Sequence, residues 1–287
     1  LTAQDRLRKE FWPVIEIATF DSEDFKFLAR HADEYKKIVD PKKVDYQIKM
    51  IYRVAIAQTI RPGAKDPLNQ LKQVEKELEE ISLEGKEEFY AQIELNRAIL
   101  TKDKEKIISM AEKNILDSNN SNTWDIMNAL NSLKSELTDK ELNRILTWEK
   151  TYTSADPKMK DYYNDFFENF KALVCPQVYY YDLNYKEALK RAVMQDKQPL
   201  LVLLPNDANR IKIQKTLNKE KTRKNINLNF ITLDISPDSK EGKTLSQQFE
   251  INSYPAFIII NREGTLNQKI MGIIEDNTLV KQIMSNQ

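Results

Sequence analysis

Few residues of this chain could do chemistry. The sequence of 287 residues holds one cysteine, Cys175, and one histidine, His31. A single cysteine cannot form an intramolecular disulfide, and these two residues cannot build a Cys/His metal cluster. Cys175 precedes Pro176 and is typical of a small buried apolar residue, and His31 is typical of a solvated helix surface. We therefore predict no catalytic residue, cofactor-binding residue or metal ligand.

The composition excludes several classes of function. Lysine plus arginine number 44 and aspartate plus glutamate also 44, so no net field draws the chain to nucleic acid. With only five glycines and no P-loop or G-x-G-x-x-G run, no nucleotide cofactor is expected. No apolar run approaches the ~18 residues of a membrane span, so no transmembrane segment is expected. Because the sequence begins at Leu1, a removed signal peptide or lipid anchor, and hence membrane attachment of a longer product, stays open.

One short segment is more informative than the composition. Tyr254, Pro255 and Ala256 stand directly before the apolar run of residues 257–260. Proline cannot donate to a sheet ladder, so at the start of a strand it serves as a backbone fixture, often with a cis peptide bond. We expect a strand after Pro255 and a special backbone geometry at it.

The first half of the chain reads as all helix. Apolar residues recur at helical spacing, for example Phe25, Leu28 and Ala32, and Asp, Ser, Pro and Gly clusters separate the helices. The loops are short, as between antiparallel helices. Residues 1–172 are therefore predicted to form an all-helical domain, either an irregular bundle or a superhelix.

The second half, residues 173–287, alternates strands and helices. A β-prone run at residues 178–181 opens it, and Asn184 is the predicted N-cap of the first helix. The further elements are predicted as a helix at 185–196, a strand at 200–204, a helix at 211–217, a strand at 228–235, a helix at 244–249, a hairpin of 257–260 with 266–270 around a turn at 261–264, and a helix at 278–284.

This order resembles the thioredoxin family over about residues 183–287. The residues that carry the likeness are the apolar strand 201–204, the strand 229–235 with its Asp234, the approach from Phe249 to Pro255, and the glycines Gly264 and Gly272. The resemblance implies a multidomain α and α/β protein whose C-terminal part is a thioredoxin-like α/β/α sandwich with a cis-proline.

The chain departs from that family where its chemistry should be. Active members carry Cys-x-x-Cys at a helix N-terminus after the first buried strand, where a thiol pKa is lowered. Here that loop contains Asn206 and Asp207, and by spacing Asn209 and Lys212 stand at the two cysteine positions. We expect a degenerate, redox-inactive loop.

Three functional hypotheses stay open. In the first, a non-catalytic module binds a protein or peptide at Tyr254, Pro255 and Ala256, because the family's pre-proline residue presents its backbone to an added strand. In the second, the chain is an enzyme or a redox partner that acts through Cys175. In the third, the helical half carries the function. A glutathione-transferase likeness fails, because that family places its thioredoxin-like domain first.

The resemblance also implies a location, and the charge pattern suggests a partner. The chain is similar to bacterial proteins that pair a helical region with a C-terminal thioredoxin-like domain, which implies the periplasm or cell envelope, with the cytoplasm as the alternative. A basic cluster is formed by Lys215, Lys219, Lys221, Arg223 and Lys224. As a charged loop it is typical of solvated surface, and an acidic partner is the alternative.

Overall fold

The structure is a computed structural model that describes residues 2–116, 123–155, 157–272 and 276–285. Contacts divide the chain into two compact units, Leu1–Leu133 (unit 1) and Lys134–Gln287 (unit 2). The helices of unit 1 are α1 (Ala3–Arg6), α2 (Trp12–Glu16), α3 (Glu23–Arg30), α4 (Ala32–Tyr35), α5 (Pro41–Gln58), α6 (Pro67–Glu79), α7 (Glu87–Leu100), α8 (Lys104–Leu116) and α9 (Thr123–Ser132), with a 3₁₀ turn at Lys9–Phe11.

The core of unit 1 forms around α5. Asp40 caps this helix, accepting a hydrogen bond from the Lys42 amide, and Pro41 occupies its first turn, where no amide partner is needed. The side chain of Tyr52 is buried in the middle of α5, with its ring 5.4 Å from that of Phe25 and 6.0 Å from that of Phe89. These aromatic contacts join α3, α5 and α7 into one core.

Unit 2 contains a four-stranded sheet in the order β2-β1-β3-β4. Its strands are β1 (Gln198–Leu203), β2 (Phe230–Ile235), β3 (Ala256–Ile260) and β4 (Leu266–Met271). Its helices are α10 (Asp139–Leu146), α11 (Glu149–Ala155), α12 (Lys160–Val174), α13 (Tyr185–Met194), α14 (Ala208–Leu217), α15 (Glu220–Asn229), α16 (Lys240–Gln248) and α17 (Asp276–Met284), with 3₁₀ turns at Lys134–Glu136 and Pro157–Met159.

The pairing directions in this sheet follow the expected element order. β1 is parallel to β2 and antiparallel to β3, and β3 forms a hairpin with β4. The predicted run at 178–181 contributes a single parallel bridge, from Tyr180 to Thr232 of β2. With its crossover through α14 and α15 and its closing hairpin and helix, this part of the chain has a thioredoxin-like fold.

Helices cover both faces of the sheet, since successive strand residues point to opposite sides. Leu201, Leu203 and their neighbours on one face pack with Ala188 and Ala192 of α13 and with Leu245 of α16. Residues of the other face pack with Leu217 of α14, Ile226 of α15 and Ile283 of α17, and include Leu200, Val202 and Phe257. All five residues of β3 are buried, as expected of a central strand covered twice.

The contacts place the division between the units at Leu133/Lys134, earlier than the boundary at 172/173 predicted from the sequence. The reason is that α12 belongs to the packing of the sheet. The side-chain amide of Asn227 donates to the carbonyl oxygens of Ala172 at 2.8 Å and Gln177 at 3.0 Å. Arg191 of α13 also forms ion pairs with Asp165 and Glu168 of α12. Helices α10 to α12 therefore pack as part of unit 2.

Among the residues that the structure describes, no helix has the length and apolarity needed to pass through a bilayer.

Candidate functional site

The pairing of β1 with β3 brings two predicted site segments together. Leu203, the last residue of β1, pairs with Ala256, the first residue of β3. Because these strands are antiparallel, the chain that leaves β1 turns away beside Pro255. We call residues 206–212 the α14 loop, and Tyr254, Pro255 and Ala256 the proline ledge. The two segments meet at one end of the sheet, where β1 ends and β3 begins.

The proline ledge is held from both sides. The peptide bond between Tyr254 and Pro255 is cis, Pro255 is buried, and its carbonyl oxygen accepts a hydrogen bond of 2.9 Å from the Gly272 amide. The Tyr254 hydroxyl shares a hydrogen bond of 2.7 Å with Ser246 Oγ of α16. By contrast, no group in the described part of the chain pairs with the backbone N–H or C=O of Tyr254.

The α14 loop owes its shape to a helix cap rather than to any reactive group. Asp207 caps α14, because its Oδ1 accepts a hydrogen bond of 2.9 Å from the Asn209 amide. The side-chain amide of Asn209 turns back to Asp207 Oδ2 at 3.4 Å. Asn206 and Lys212 are exposed to solvent. None of these side chains can form a thiolate, so the loop has no dithiol chemistry to offer.

An ion pair under this loop escaped the sequence analysis. Arg210 donates to the Leu204 carbonyl oxygen at 3.2 Å and forms a close ion pair with Asp234 of β2. Burial, and then the charge of Asp234, raise the pKa of the nearby Tyr180 to about 12, although Arg210 acts in the opposite direction. Both members of the pair were visible in the sequence, but their meeting depends on the parallel pairing of β1 with β2.

A second feature also went unnoticed in the sequence. Ile211 follows Arg210 in α14 and is 72% exposed, the second-largest exposure among the large apolar side chains of the described residues. The helical spacing of the apolar residues in α14 does not by itself predict that the Ile211 side chain is exposed to solvent. An exposed isoleucine beside the ledge is a candidate contact for a partner.

Cys175 lies at the opposite end of the sheet from the proline ledge. It ends α12, and its carbonyl oxygen accepts a hydrogen bond from the Arg223 side chain. The segment after Cys175 is held by Asn227, which lies three residues before β2. Its Oδ1 accepts a hydrogen bond of 2.8 Å from the Tyr179 amide. The proline ledge lies at the other end of the parallel strands β1 and β2, which is about five residues, or ~16 Å, further along them. The structure does not bring Cys175 to the α14 loop.

His31 belongs to unit 1 and makes local contacts. Its ring stacks on Phe27 with ring centroids 4.3 Å apart, and Nδ1 lies 3.4 Å from Glu34 Oε1. Both partners are within four residues along the chain, so the histidine stabilises the junction of α3 and α4.

Unit 1 has a cavity of its own. About 540 Å³ lies between residues 16–21 and α5, lined in part by Phe20, Tyr46, Met50 and Val54. Tyr46 is 62% and Val54 46% exposed, so the wall formed by α5 is open to solvent. The volume is in the range of ligand-binding clefts, which are mostly apolar with a few polar groups.

Comparison with known proteins gives likenesses of structure alone. No family model matches the chain, and no curated protein matches it. It is similar to the solution structure of a candidate disulphide-isomerase from Bacteroides thetaiotaomicron, with 23% identity, covering 37% of this chain and 88% of the other, at a TM-score of 0.34. It is also similar to a thioredoxin from Thermus thermophilus, with 16% identity, covering 36% of this chain and 82% of the other, at a TM-score of 0.32.

Proposed function

We propose that unit 2 is a non-catalytic binding module that takes an extended segment of another protein at the proline ledge. The observation that carries the proposal is the backbone of Tyr254. Its N–H and C=O have no partner among the described residues, although Ala256, two residues on, is paired on both sides. Water satisfies these groups in the free protein, and a peptide added as a strand would satisfy them in the complex.

The surroundings of Tyr254 favour binding over disulfide exchange. Exchange needs a thiolate that attacks a disulfide sulfur, and the α14 loop offers Asn209 and Lys212 at the two relevant positions. The Ser246 hydrogen bond and the buried Pro255 hold the ledge in place before a ligand arrives. A preformed backbone edge loses less entropy on binding than a flexible one.

The test uses two fluorescein-labelled peptides of twelve residues, one repeating Glu-Leu-Ser and one repeating Gln-Leu-Ser. Hydrogen exchange of the Tyr254 amide should slow when at least one peptide is added, because the amide then donates to the peptide. Ser253→Trp places a bulky side chain at the exposed approach to the ledge and should abolish binding. Ser154→Trp, at an exposed serine of α11, is the control. If exchange at Tyr254 is unchanged with both peptides, the proposal is rejected.

The cavity beside α5 favours a second candidate, in which the helical unit binds an apolar ligand. The dye 1-anilinonaphthalene-8-sulfonate, which fluoresces in apolar clefts, is a direct probe. Val54→Glu should reduce its signal because Val54 lines the cavity, whereas Val193→Glu on α13 should not. An equal signal from both variants would exclude this cavity.

A further inference from the structure

The charge of the chain is unevenly distributed, and its most basic stretch adjoins the proline ledge. Residues 205–224 contain seven lysines and arginines and two acidic residues, in a chain whose totals are equal. This stretch comprises the α14 loop, α14 and the first half of α15. A local excess of positive charge in a neutral protein attracts an acidic partner to one place.

The basic residues of this stretch fall into two groups. Three of them have partners within the chain. Arg210 forms an ion pair with Asp234, and Arg223 donates a hydrogen bond to the Cys175 carbonyl oxygen. Lys224 forms ion pairs with Glu220 at 3.2 Å and Asp139 at 3.8 Å. The other four are exposed, and none has a carboxylate within ion-pair distance among the described residues; they are Lys212, Lys215, Lys219 and Lys221. Their charge is available to a partner.

One of these lysines shares a helix face with the exposed isoleucine. Ile211 and Lys215 are four residues, or about one turn, apart on α14. Lys212, the residue after Ile211, is also exposed but projects about 100° further round the helix. The buried face of α14 is carried by Thr216 and Leu217, so Ile211 adds nothing to the core. An apolar anchor flanked by cations fits a segment in which apolar and acidic residues are mixed.

One extended segment is long enough to cover this face of α14. From Ala208 to Lys215 the helix rises ~10 Å, which about three residues of extended chain can span. A bound strand whose continuation runs along α14 would therefore pass Ile211, Lys212 and Lys215 within a few residues.

We infer that the segment bound at the proline ledge is acidic, with an apolar side chain against Ile211 and carboxylates against Lys212, Lys215 and Lys219. This inference rests on the proposed function of the ledge and specifies its ligand. A peptide fits better than single-stranded nucleic acid, because residues 205–229 contain no aromatic side chain on which bases could stack. The neutral charge of the whole chain also gives no wider field for a polyanion.

Fluorescence anisotropy with the two peptides tests the inference. The Glu-Leu-Ser peptide should bind about five- to tenfold more tightly than the Gln-Leu-Ser peptide, and the difference should shrink as salt is raised. The triple variant Lys212→Gln/Lys215→Gln/Lys219→Gln should bring the two affinities within about twofold. The control removes three exposed lysines on the other face of the sheet, Lys186→Gln/Lys190→Gln/Lys243→Gln, and should keep the preference.

The apolar contact has its own control pair. Ile211→Ser should weaken both peptides by a similar factor, and Val193→Ser, at another exposed apolar residue, should weaken neither. Circular dichroism of each variant checks that the fold is retained.

The outcomes separate this inference from the proposed function. Equal affinity for the two peptides together with protection of Tyr254 would overturn the acidic preference and leave the ledge in place. Acidic preference that survives Ser253→Trp and is lost in the lysine variant would overturn the proposed function of the ledge, and with it the placement of the acidic segment there. Tighter binding of a dodecamer of thymidylate than of the acidic peptide would overturn the choice of a peptide. Concentration-dependent dimerisation that the lysine variant abolishes would assign the face to a second copy, whose residues 75–88 contain seven glutamates, and would also overturn it.

Discussion

Arg210 forms an ion pair with Asp234. In the sequence Arg210 lies between Asn209 and Lys212, the two positions to which the resemblance to thioredoxins assigns cysteines. The same guanidinium donates a hydrogen bond to the Leu204 carbonyl oxygen, so Arg210 connects the start of α14 to the residue that follows β1. A loop of this kind is shaped by charge pairing and a helix cap. Nothing in it depends on a disulfide.

The first prediction concerns this ion pair. Arg210→Met should lower the free energy of unfolding by about 1–3 kcal/mol, because it leaves Asp234 and the Leu204 carbonyl without their partner. Lys212→Met, two residues on and exposed, should change it by less than about 0.5 kcal/mol. Urea unfolding at neutral pH measures both. Equal effects of the two substitutions would mean that the pair does not hold the loop.

The second prediction concerns redox chemistry. The protein should not accelerate the reduction of insulin by dithiothreitol, and Cys175→Ser should behave identically, since Cys175 is at the far end of the sheet from the α14 loop. Asn209→Cys/Lys212→Cys should gain activity, because it puts one thiol in the first turn of α14, where helix amides stabilise a thiolate, and a second thiol three residues later. Activity of the natural sequence that disappears in Cys175→Ser would contradict the prediction.

Local signals in the sequence predicted much of unit 2. Asn184 is the N-cap of α13, accepting from the Glu187 amide at 3.0 Å, because the cap depends only on residues three apart. The hairpin of β3 and β4 also follows from its turn, in which Gly264 adopts a φ of 84° that favours glycine. The position of Pro255 directly before β3 was predictable for the same reason, since proline before an apolar run is a local signal.

The features that the sequence did not reveal depend on distant contacts. Residues 219–224 read as a charged loop, but α15 begins at Glu220 and buries only Thr222, Ile226 and Asn227, too few apolar residues to give a periodicity. The strand predicted from residue 228 consequently begins at Phe230. The contacts that place residues 134–172 in unit 2 are also distant ones, because the bond of Asn227 to Ala172 spans 55 residues.

The third prediction follows from that boundary. The Asn227 side chain bonds the Ala172 and Gln177 carbonyl oxygens and the Tyr179 amide. Asn227→Ala therefore leaves the Gln177 carbonyl oxygen and the Tyr179 amide unpaired, and it leaves the Ala172 carbonyl oxygen with only its 3.3 Å bond from the Cys175 amide. We expect a loss of about 3 kcal/mol or more in the free energy of unfolding. Lys221→Ala, at an exposed lysine of the same helix α15, is the control and should change the free energy of unfolding by less than about 0.5 kcal/mol.

Truncation tests the same contacts in a second way. A chain of residues 134–287 should unfold cooperatively, whereas residues 173–287 should lack a sharp transition, because they lose α12 and the ion pairs of Arg191. Thermal unfolding followed by circular dichroism distinguishes the two. A sharp transition in the shorter chain at the same temperature would support the boundary at 172/173 instead.

The last prediction concerns Lys197, which is 1% exposed. Its Nζ donates to the Asn227 carbonyl oxygen at 2.8 Å and lies 3.4 Å from the Tyr181 hydroxyl. Burial, and then the charge of Lys134, hold the pKa of Lys197 well below its usual value of 10.5, and Glu168 acts weakly in the opposite direction. Between the lowered pKa and about 10.5 the unfolded chain therefore binds a proton that the native chain does not.

The free energy of unfolding should accordingly rise with pH across that window, by up to about 1.4 kcal/mol per pH unit for this one proton, and stop changing below the native pKa. Lys197→Met removes the proton and the slope, so the stability of the natural protein relative to this variant should increase from pH 7 to pH 9.5. The lost bond to Asn227 adds an offset that is independent of pH. Lys190→Met, at an exposed lysine, should leave the slope unchanged. Urea unfolding at the two pH values decides the matter, since equal slopes for the natural protein and Lys197→Met would mean that Lys197 stays protonated inside the fold.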